Sequence, residues 1–290
     1  MIRHALVAAL PLVLVASLAG AQASPDSAEH VAHVAYGITA GGLSAPDRHS
    51  EEALGAVLEY HPTAWLEAGL NPSVVRSTDT LGVAARTGLT DLGASLGVSH
   101  GFGLPWSPSV GVSGGLSLPT GRAAEGFGSG RVTESAYASA GVTPVERLAL
   151  RAGFWHGLST DASTLAGSSL SGEASYDAGR MSFTASYGGE VGGAGIAVPS
   201  REIGGGLSFA LPRAGSMVVN AAHTLAGDGP RWSMNVGFGT AFAGLNAVGA
   251  TSPVERLGGA LGNAIGGLGR GQGRGRSTTK SNGNSKKGTA

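Results

Sequence analysis

The chain has no cysteine in 290 residues, which excludes a disulfide framework and any thiolate metal site. Charge is also scarce. Asp, Glu, Lys and Arg make up 13% of the residues, about half of what a soluble domain carries on its surface. Much of the surface therefore does not meet water. Aromatic residues are few, at 6%. Beyond the N-terminus no apolar run reaches the roughly 20 residues a spanning helix needs. If this chain enters a membrane it does so as a closed barrel of strands, the other architecture that pairs every backbone group in hydrocarbon. What is abundant is glycine, 51 residues without a collagen period.

Residues 1–23 read as a secretory signal peptide. Arg3 and His4 give a short basic start, Ala5 to Ala19 is apolar, and Ala21-Gln22-Ala23 is a small-x-small cleavage site. The apolar stretch is short for a retained anchor.

From residue 24 to 242 the dominant pattern is strict alternation. Trp232, Met234, Val236 and Phe238 are apolar, whereas Ser233, Asn235, Gly237 and Gly239 between them are small or polar. Period two means a strand with one apolar and one polar face. Twelve such strands are expected, near 31–41, 51–61, 63–72, 90–101, 108–119, 131–143, 146–157, 168–178, 180–190, 201–211, 215–225 and 231–242. The polar face is mostly Gly and Ser, as in Ser109, Gly111, Ser113, Gly115 and Ser117. A soluble sandwich would coat its outer face with charge; small polar residues suit the wall of a lumen. Short links, such as Thr143-Pro144-Val145, alternate with longer ones near 42–50, 73–89, 120–130, 158–167 and 191–200, Ala226 to Pro230 being the one short exception. That asymmetry belongs to outer-membrane barrels, with turns on one side and loops on the other. The fold class expected is all-β: a transmembrane antiparallel up-and-down β-barrel of about twelve strands with a disordered C-terminal tail.

One region carries a family resemblance. Gly88-Leu89-Thr90-Asp91-Leu92 opens a strand, Leu118-Pro119-Thr120-Gly121 closes the next, and Gly128-Ser129-Gly130 precedes the strand from Val132 to Val142. In order and spacing this resembles the outer-membrane transporter family labelled as the meta-pathway of phenol degradation. The resemblance covers about a quarter of the chain closely and implies a β-barrel channel for hydrophobic or aromatic compounds, with no catalytic residues and no cofactor. The C-terminal extension departs from it. The last strand also resembles the assembly signal of outer-membrane barrels at Asn235, Gly237 and Phe242, although Thr240 stands where an apolar residue is usual and 48 residues follow Phe242.

Strand parity points Glu59, Glu67, Asp91, Glu173, Glu190 and Glu202 into the lumen, with Arg151 and Arg180. Carboxylate rings favour cations; the competing reading is that these groups lie at the rims or pair across strands. His33, His61, His100, His156 and His223 show no metal-ligand spacing on one element, and no Gly-x-Ser-x-Gly elbow is present. Trp65, Trp106, Trp155 and Trp232, with Tyr36, Tyr60, Tyr176 and Tyr187, fit an interfacial aromatic belt or ordinary packing at strand ends.

Residues 243–269 break the alternation. Ser252-Pro253-Val254-Glu255 is a capping box, and Val254, Leu257, Leu261, Ile265 and Leu268 follow helical spacing, though internal glycines leave disorder as the alternative. The tail, 270–290, holds Arg270, Arg274, Arg276, Lys280, Lys286 and Lys287 and no acid. A zero net charge therefore conceals an acidic body, with 12 basic against 19 acidic residues in 24–269.

These features fit a passive outer-membrane channel for small molecules, hydrophobic or aromatic ones among them. Its expected partners are outer-membrane lipids, the barrel-assembly machinery and a small-molecule solute, with no nucleic acid. Two alternatives stay open: a structural or adhesive barrel with a closed lumen, and a lipid-modifying barrel enzyme. The tail is too poor in apolar residues to order itself. Truncation after Gly269 should thus leave the heat-modifiable gel mobility of the folded barrel intact; loss of that mobility would give the tail a role in assembly.

Overall fold

The computed structural model describes residues 32–44, 50–78, 85–158, 167–192, 199–211, 215–227 and 230–242. The expected signal peptide, the 243–269 segment and the basic tail lie outside the described residues.

Twelve antiparallel strands form one closed sheet. They are β1 His33–Ser44, β2 Ser50–Thr63, β3 in two pieces Leu66–Asn71 and Ser73–Thr78, and β4 in two pieces Arg86–Leu89 and Leu92–Gly101. There follow β5 Ser109–Leu118, β6 Thr133–Val145, β7 Leu148–Leu158, β8 Ser168–Asp177, β9 Met181–Gly192, β10 Arg201–Ala210, β11 Ser216–Ala226 and β12 Trp232–Gly239. Each pairs with its sequence neighbours. β1 pairs with both β2 and β12, Gly37 lying opposite Val57 on one side and Gly239 on the other. That double pairing leaves no edge strand.

The sidedness is inverted relative to a soluble protein. Ile38 and Phe238 face each other across β1 and β12 on the outside, 60% and 52% exposed. Leu54, Leu116, Leu170, Phe183, Ile203 and Met234 are exposed likewise. Thr39, Ser182, Thr184, Ser208, Ser216 and Asn235 on the alternate positions are buried. Lumenal hydroxyls pair across the wall: Ser182 Oγ lies 2.8 Å from Ser208 Oγ, and Ser175 Oγ 3.2 Å from Thr184 Oγ1.

The lower end of the barrel is where β1 begins and β12 stops. It carries the tight connections, two residues each between Thr63 and Leu66 and between Val145 and Leu148. In the three-residue connection from β8 to β9, at the same end, Asp177 Oδ1 accepts a 2.7 Å hydrogen bond from the Gly179 N–H. The upper end carries the longer ones, the longest between Leu118 and Thr133.

Several boundaries differ from the sequence reading. Thr143-Pro144-Val145, read as a link, is the end of β6, and the turn is Glu146-Arg147 instead. β3 runs on past Pro72 to Thr78 without a change of register: Leu58 pairs with Leu70, and Gly55 with Ser73. β4 begins at Arg86, so the connection expected over 73–89 is mostly strand, and only 79–85 lies between the two. β12 stops at Gly239, after which Thr240–Phe242 form a 3-10 turn rather than the end of a strand.

The adjacent residues Val112 and Ser113 sit mid-strand on opposite faces of β5 and test this sidedness. With the barrel in a bilayer, Val112→Arg should destabilise it by roughly 2–4 kcal/mol if it lies near the midplane. Ser113→Arg, opposite Gly97 in the lumen, should cost far less in the same folding titration. Equal penalties would contradict the inverted barrel.

Candidate functional site

The lumen is shaped by two segments that turn into it, one from each end. The upper one begins with a bulge in β4. Asn71 pairs with Gly93 but Val74 with Leu89, so the register shifts by one between them. The extra residue lets both Thr90 and Asp91 turn inward. Thr90 is fixed to β3: its N–H donates to the Ser73 carbonyl at 3.0 Å, and the two hydroxyls lie 2.6 Å apart.

Asp91 then holds the loop between β5 and β6. Its Oδ1 accepts from the Gly121 N–H at 3.0 Å, and its Oδ2 from the Ser129 N–H at 2.6 Å and hydroxyl at 2.7 Å. Thr120 Oγ1 accepts from the Leu92 N–H at 2.9 Å and donates to the Thr90 carbonyl. A side chain at Gly121 would collide with the Phe127 carbonyl, and one at Gly128 with the Asp91 carboxylate. The Leu-Pro-Thr-Gly and Gly-Ser-Gly segments, 38 residues away from Asp91 at Ser129, are thus the two sides of one latch closed by Asp91.

The latch delivers Phe127. Its ring is buried at 1% exposure, packed on the lumenal face of Gly88 and in one apolar cluster with Val75. A Cβ at Gly88 would strike that ring.

At the lower end Gly239 and Thr240 make the turn. Gly239 has φ +147°, and a side chain there would run into the Tyr36 carbonyl and Gly37 Cα. Thr240 Oγ1 accepts from the Tyr36 N–H at 3.0 Å. This explains a hydroxyl where barrel strands commonly end in an apolar residue: it caps β1 backbone and sends Ala241 and Phe242 inward. Both are buried, and Phe242 lies against Gly37 in the cluster that also holds Ala35, Val57 and Val218.

The wall itself carries aromatics and charge. Tyr137 on β6 and Trp155 on β7 are paired in register on the lumenal side, and a side chain at Gly153 would meet the Tyr137 hydroxyl. Trp155 therefore stands inside, not in an exterior belt, whereas Trp65, Trp106 and Trp232 are exposed near the barrel ends. Glu59, His61 and His33 cluster at the lower end; Glu59 Oε2 lies 3.3 Å from His61 Nε2, and the two imidazoles stack at 4.8 Å. Glu67 projects beside Gly97. Glu173 is buried, accepts from the Ser175 hydroxyl at 3.0 Å, and sits opposite Arg151 in register. Glu51, also buried on the lumenal face of β2, belongs to this acidic set.

The remaining sites lie at the ends. Glu190 Oε2 accepts from the Ser200 N–H at 3.1 Å, beside the upper rim. Glu202 is exposed two residues into β10. Arg180 lies exposed in the turn before β9, not on the wall. Among the described residues no group of three His, Asp or Glu is placed to hold a metal ion.

No protein family matches the chain, and no curated protein does. Solved structures do match. An outer membrane channel from Pseudomonas putida F1 superposes with a TM-score of 0.60 at 13% identity, covering 75% of this chain and 99% of the other. The KdgM porin gives 0.47 at 11% identity over 70% and 97% of the two chains. The CymD monoaromatic hydrocarbon channel gives 0.44 at 12% identity over 71% and 87%. This chain shares the fold of the Pseudomonas putida channel, a β-barrel.

Asp91→Ala should open the latch. A hydrogen bond to a charged group contributes about 1.5–3 kcal/mol, and this carboxylate accepts several. The loop should leave the lumen and become a substrate for trypsin after Arg122 and Arg131, while the barrel stays folded. A loop as resistant as in the unaltered protein would show that Phe127 packing alone holds it.

Proposed function

We propose that this protein is a passive β-barrel channel of a bacterial outer membrane, for small solutes with an apolar or aromatic part. The observation that carries the reading is the inverted sidedness: large apolar residues outside, small and polar ones inside, in a closed sheet. The fold shared with an outer membrane channel supports it. Diffusion through a lined pore requires no bond-breaking chemistry.

The solute class follows from what lines the lumen. Phe127 is buried against one wall under the latch, which narrows the lumen there, and Tyr137 and Trp155 stand half-buried on another. Two aromatic rings set among small residues on this wall suit molecules that bring an apolar or aromatic surface. The resemblance of Leu118–Gly121 and Gly128–Gly130 to the family thought to pass hydrophobic or aromatic compounds points the same way. The acids Glu51, Glu59, Glu67 and Glu173 against Arg151 give the lumen a negative balance that favours cations.

Two measurements check this. In liposome swelling, small aromatic alcohols should enter faster than sugars of similar size, and Phe127→Ala should narrow that difference while raising the rate for both. Exclusion of every solute would instead support a structural barrel with a closed lumen. In a salt gradient the reversal potential should report cation preference. That preference should persist at ~1 M salt, where the Debye length is ~3 Å and charge on outer loops is screened. It should weaken on Glu67→Gln and Glu173→Gln.

A further inference from the structure

One sector of the outer surface differs from the rest. At the upper end Tyr187 on β9, Ile203 on β10, His223 on β11 and Trp232 on β12 stand side by side in register, all on the lipid-facing parity. Tyr187, Ile203 and Trp232 are exposed, and so is Leu225, two residues above His223. The His223 and Trp232 rings lie 4.3 Å apart. Two cations stand above this shelf. Arg201 is exposed two residues above Ile203, and a Cβ at Gly189 would lie 3.4 Å from its Cγ, so its stem runs along the outer side of that glycine. Arg231 is exposed and directly precedes Trp232. The backbone carrying both is fixed. The Ser200 N–H donates to Glu190 Oε2 at 3.1 Å, and the Glu190 N–H to the Ser200 carbonyl at 2.9 Å. The Arg231 carbonyl accepts from the His223 Nδ1–H at 2.6 Å, and the Pro230 carbonyl from the Thr224 hydroxyl at 2.5 Å. The two guanidinium groups have no hydrogen-bond or ion-pair partner among the described residues, whereas Arg76 meets Glu52 at 3.7 Å and Arg122 meets Glu125 at 3.2 Å. No Asp or Glu stands on the outward positions of β9 to β12 or of β1, among the described residues; Glu190 and Glu202 fall on the lumenal parity.

We propose that this sector binds a phosphorylated, multiply acylated glycolipid of the outer leaflet, its phosphate held by Arg201 and Arg231 and its acyl chains laid on the shelf below them. The orientation rests on the outer-membrane reading given above, in which the end with the longer connections faces the cell exterior. An arginine with its stem on apolar surface carries its head to the headgroup level, and a guanidinium matches phosphate in bidentate geometry. Arg201 on β10 and Arg231 before β12 start two strand spacings apart, ~10 Å, so their side chains can converge on one phosphate lying over β11. Charge complementarity is local: the outward face of this sector has cations without acids, while the other outward arginine on the wall, Arg76, is already paired with Glu52. The shelf is four strands, ~14 Å, wide, a width that takes several acyl chains side by side. Aromatic and aliphatic side chains at the interface supply the contact for those chains, and the fixed arginine backbone sets the height of the phosphate.

Native mass spectrometry of the folded full chain in detergent tests this. The probes are bisphosphoryl lipid A, the same lipid with its phosphates removed, phosphatidylglycerol and inorganic phosphate. One bisphosphoryl lipid A should be retained per barrel, at least about tenfold more strongly than the phosphate-free form or phosphatidylglycerol. Inorganic phosphate in excess should not displace it. Arg201→Gln with Arg231→Gln should lower retention by about tenfold or more, with heat-modifiable mobility intact, whereas Arg147→Gln in a lower turn should leave it unchanged. If the double variant does not fold, the two single variants carry the same comparison, each with a severalfold loss. Retention unaffected by the arginine variants overturns the proposal. So does equal retention of the phosphate-free lipid or of phosphatidylglycerol, and so does displacement by inorganic phosphate, which would mark a bare anion site. A barrel that retains lipid A but passes no solute would sink the channel reading and leave this site standing; one that conducts without preferring lipid A would do the reverse.

Discussion

Closure of the hydrogen-bond ladder is the constraint on which the rest depends. In hydrocarbon an unpaired backbone group costs several kcal/mol, so a strand facing lipid must have a neighbour on each side. β1 meets that demand by pairing with β2 and β12 at once. Irregular backbone is confined accordingly. The one-residue bulge at Thr90 and Asp91 lies toward the upper end, where the β5–β6 loop supplies the missing partners. The break at Gly239 comes at the lower end, where Thr240 supplies them. These two departures turn chain into the lumen, the one direction in which polar backbone remains tolerable; the other register shifts, such as those at Tyr60/Thr63 and Ser168/Ser169, lie at strand ends.

The period-two pattern made the strands legible because lipid and lumen sort side chains as sharply as core and water do, with the sides exchanged. All twelve strands are present, and alternation fails in a telling way where their limits differ. Val74 and Val75 are adjacent valines on opposite faces of β3, so that stretch did not read as a wall facing water. Val75 is apolar and inward because Phe127 covers it. Val57 and Val218 are inward valines for the same reason, beside Phe242. An apolar residue on the lumenal parity therefore marks a place where the lumen holds protein. Three such positions trace both inward segments, a signal that was available in the sequence but reads as noise until the barrel is known.

Parity assigned a face to each charge, but the partners of several are distant in sequence, and Arg180 falls in a turn where parity does not apply. Asp91 lay on the expected face, yet three donors from a loop some 30 to 38 residues away engage its carboxylate, and the spacing of Leu-Pro-Thr-Gly and Gly-Ser-Gly acquires meaning only through it. Tyr137 and Trp155 were within reach of the same parity argument, Tyr137 standing between Ser135 and Ser139 on the small-residue face of β6. Position near a strand end suggested an exterior belt for Trp155; its register opposite Tyr137 places it inside.

The two inward segments share one side of the barrel. Phe127 packs on β3 and β4, and Phe242 on β1, within a single apolar cluster that runs through Ala35, Ala53 and Val57. Had they leaned on opposite walls they would have crossed the lumen and closed it. Leaning on the same side, they leave the faces of β5 to β9 as the surface that bounds any path. That surface carries Tyr137, Trp155, Arg151 and Glu173 among serines and glycines. It presents aromatic rings on the upper part and a charged pair lower down, whose opposite signs lie on adjacent strands. On the passive-channel reading proposed above, the scatter of these groups over several strands suits conduction, since a site that holds its solute tightly also retains it.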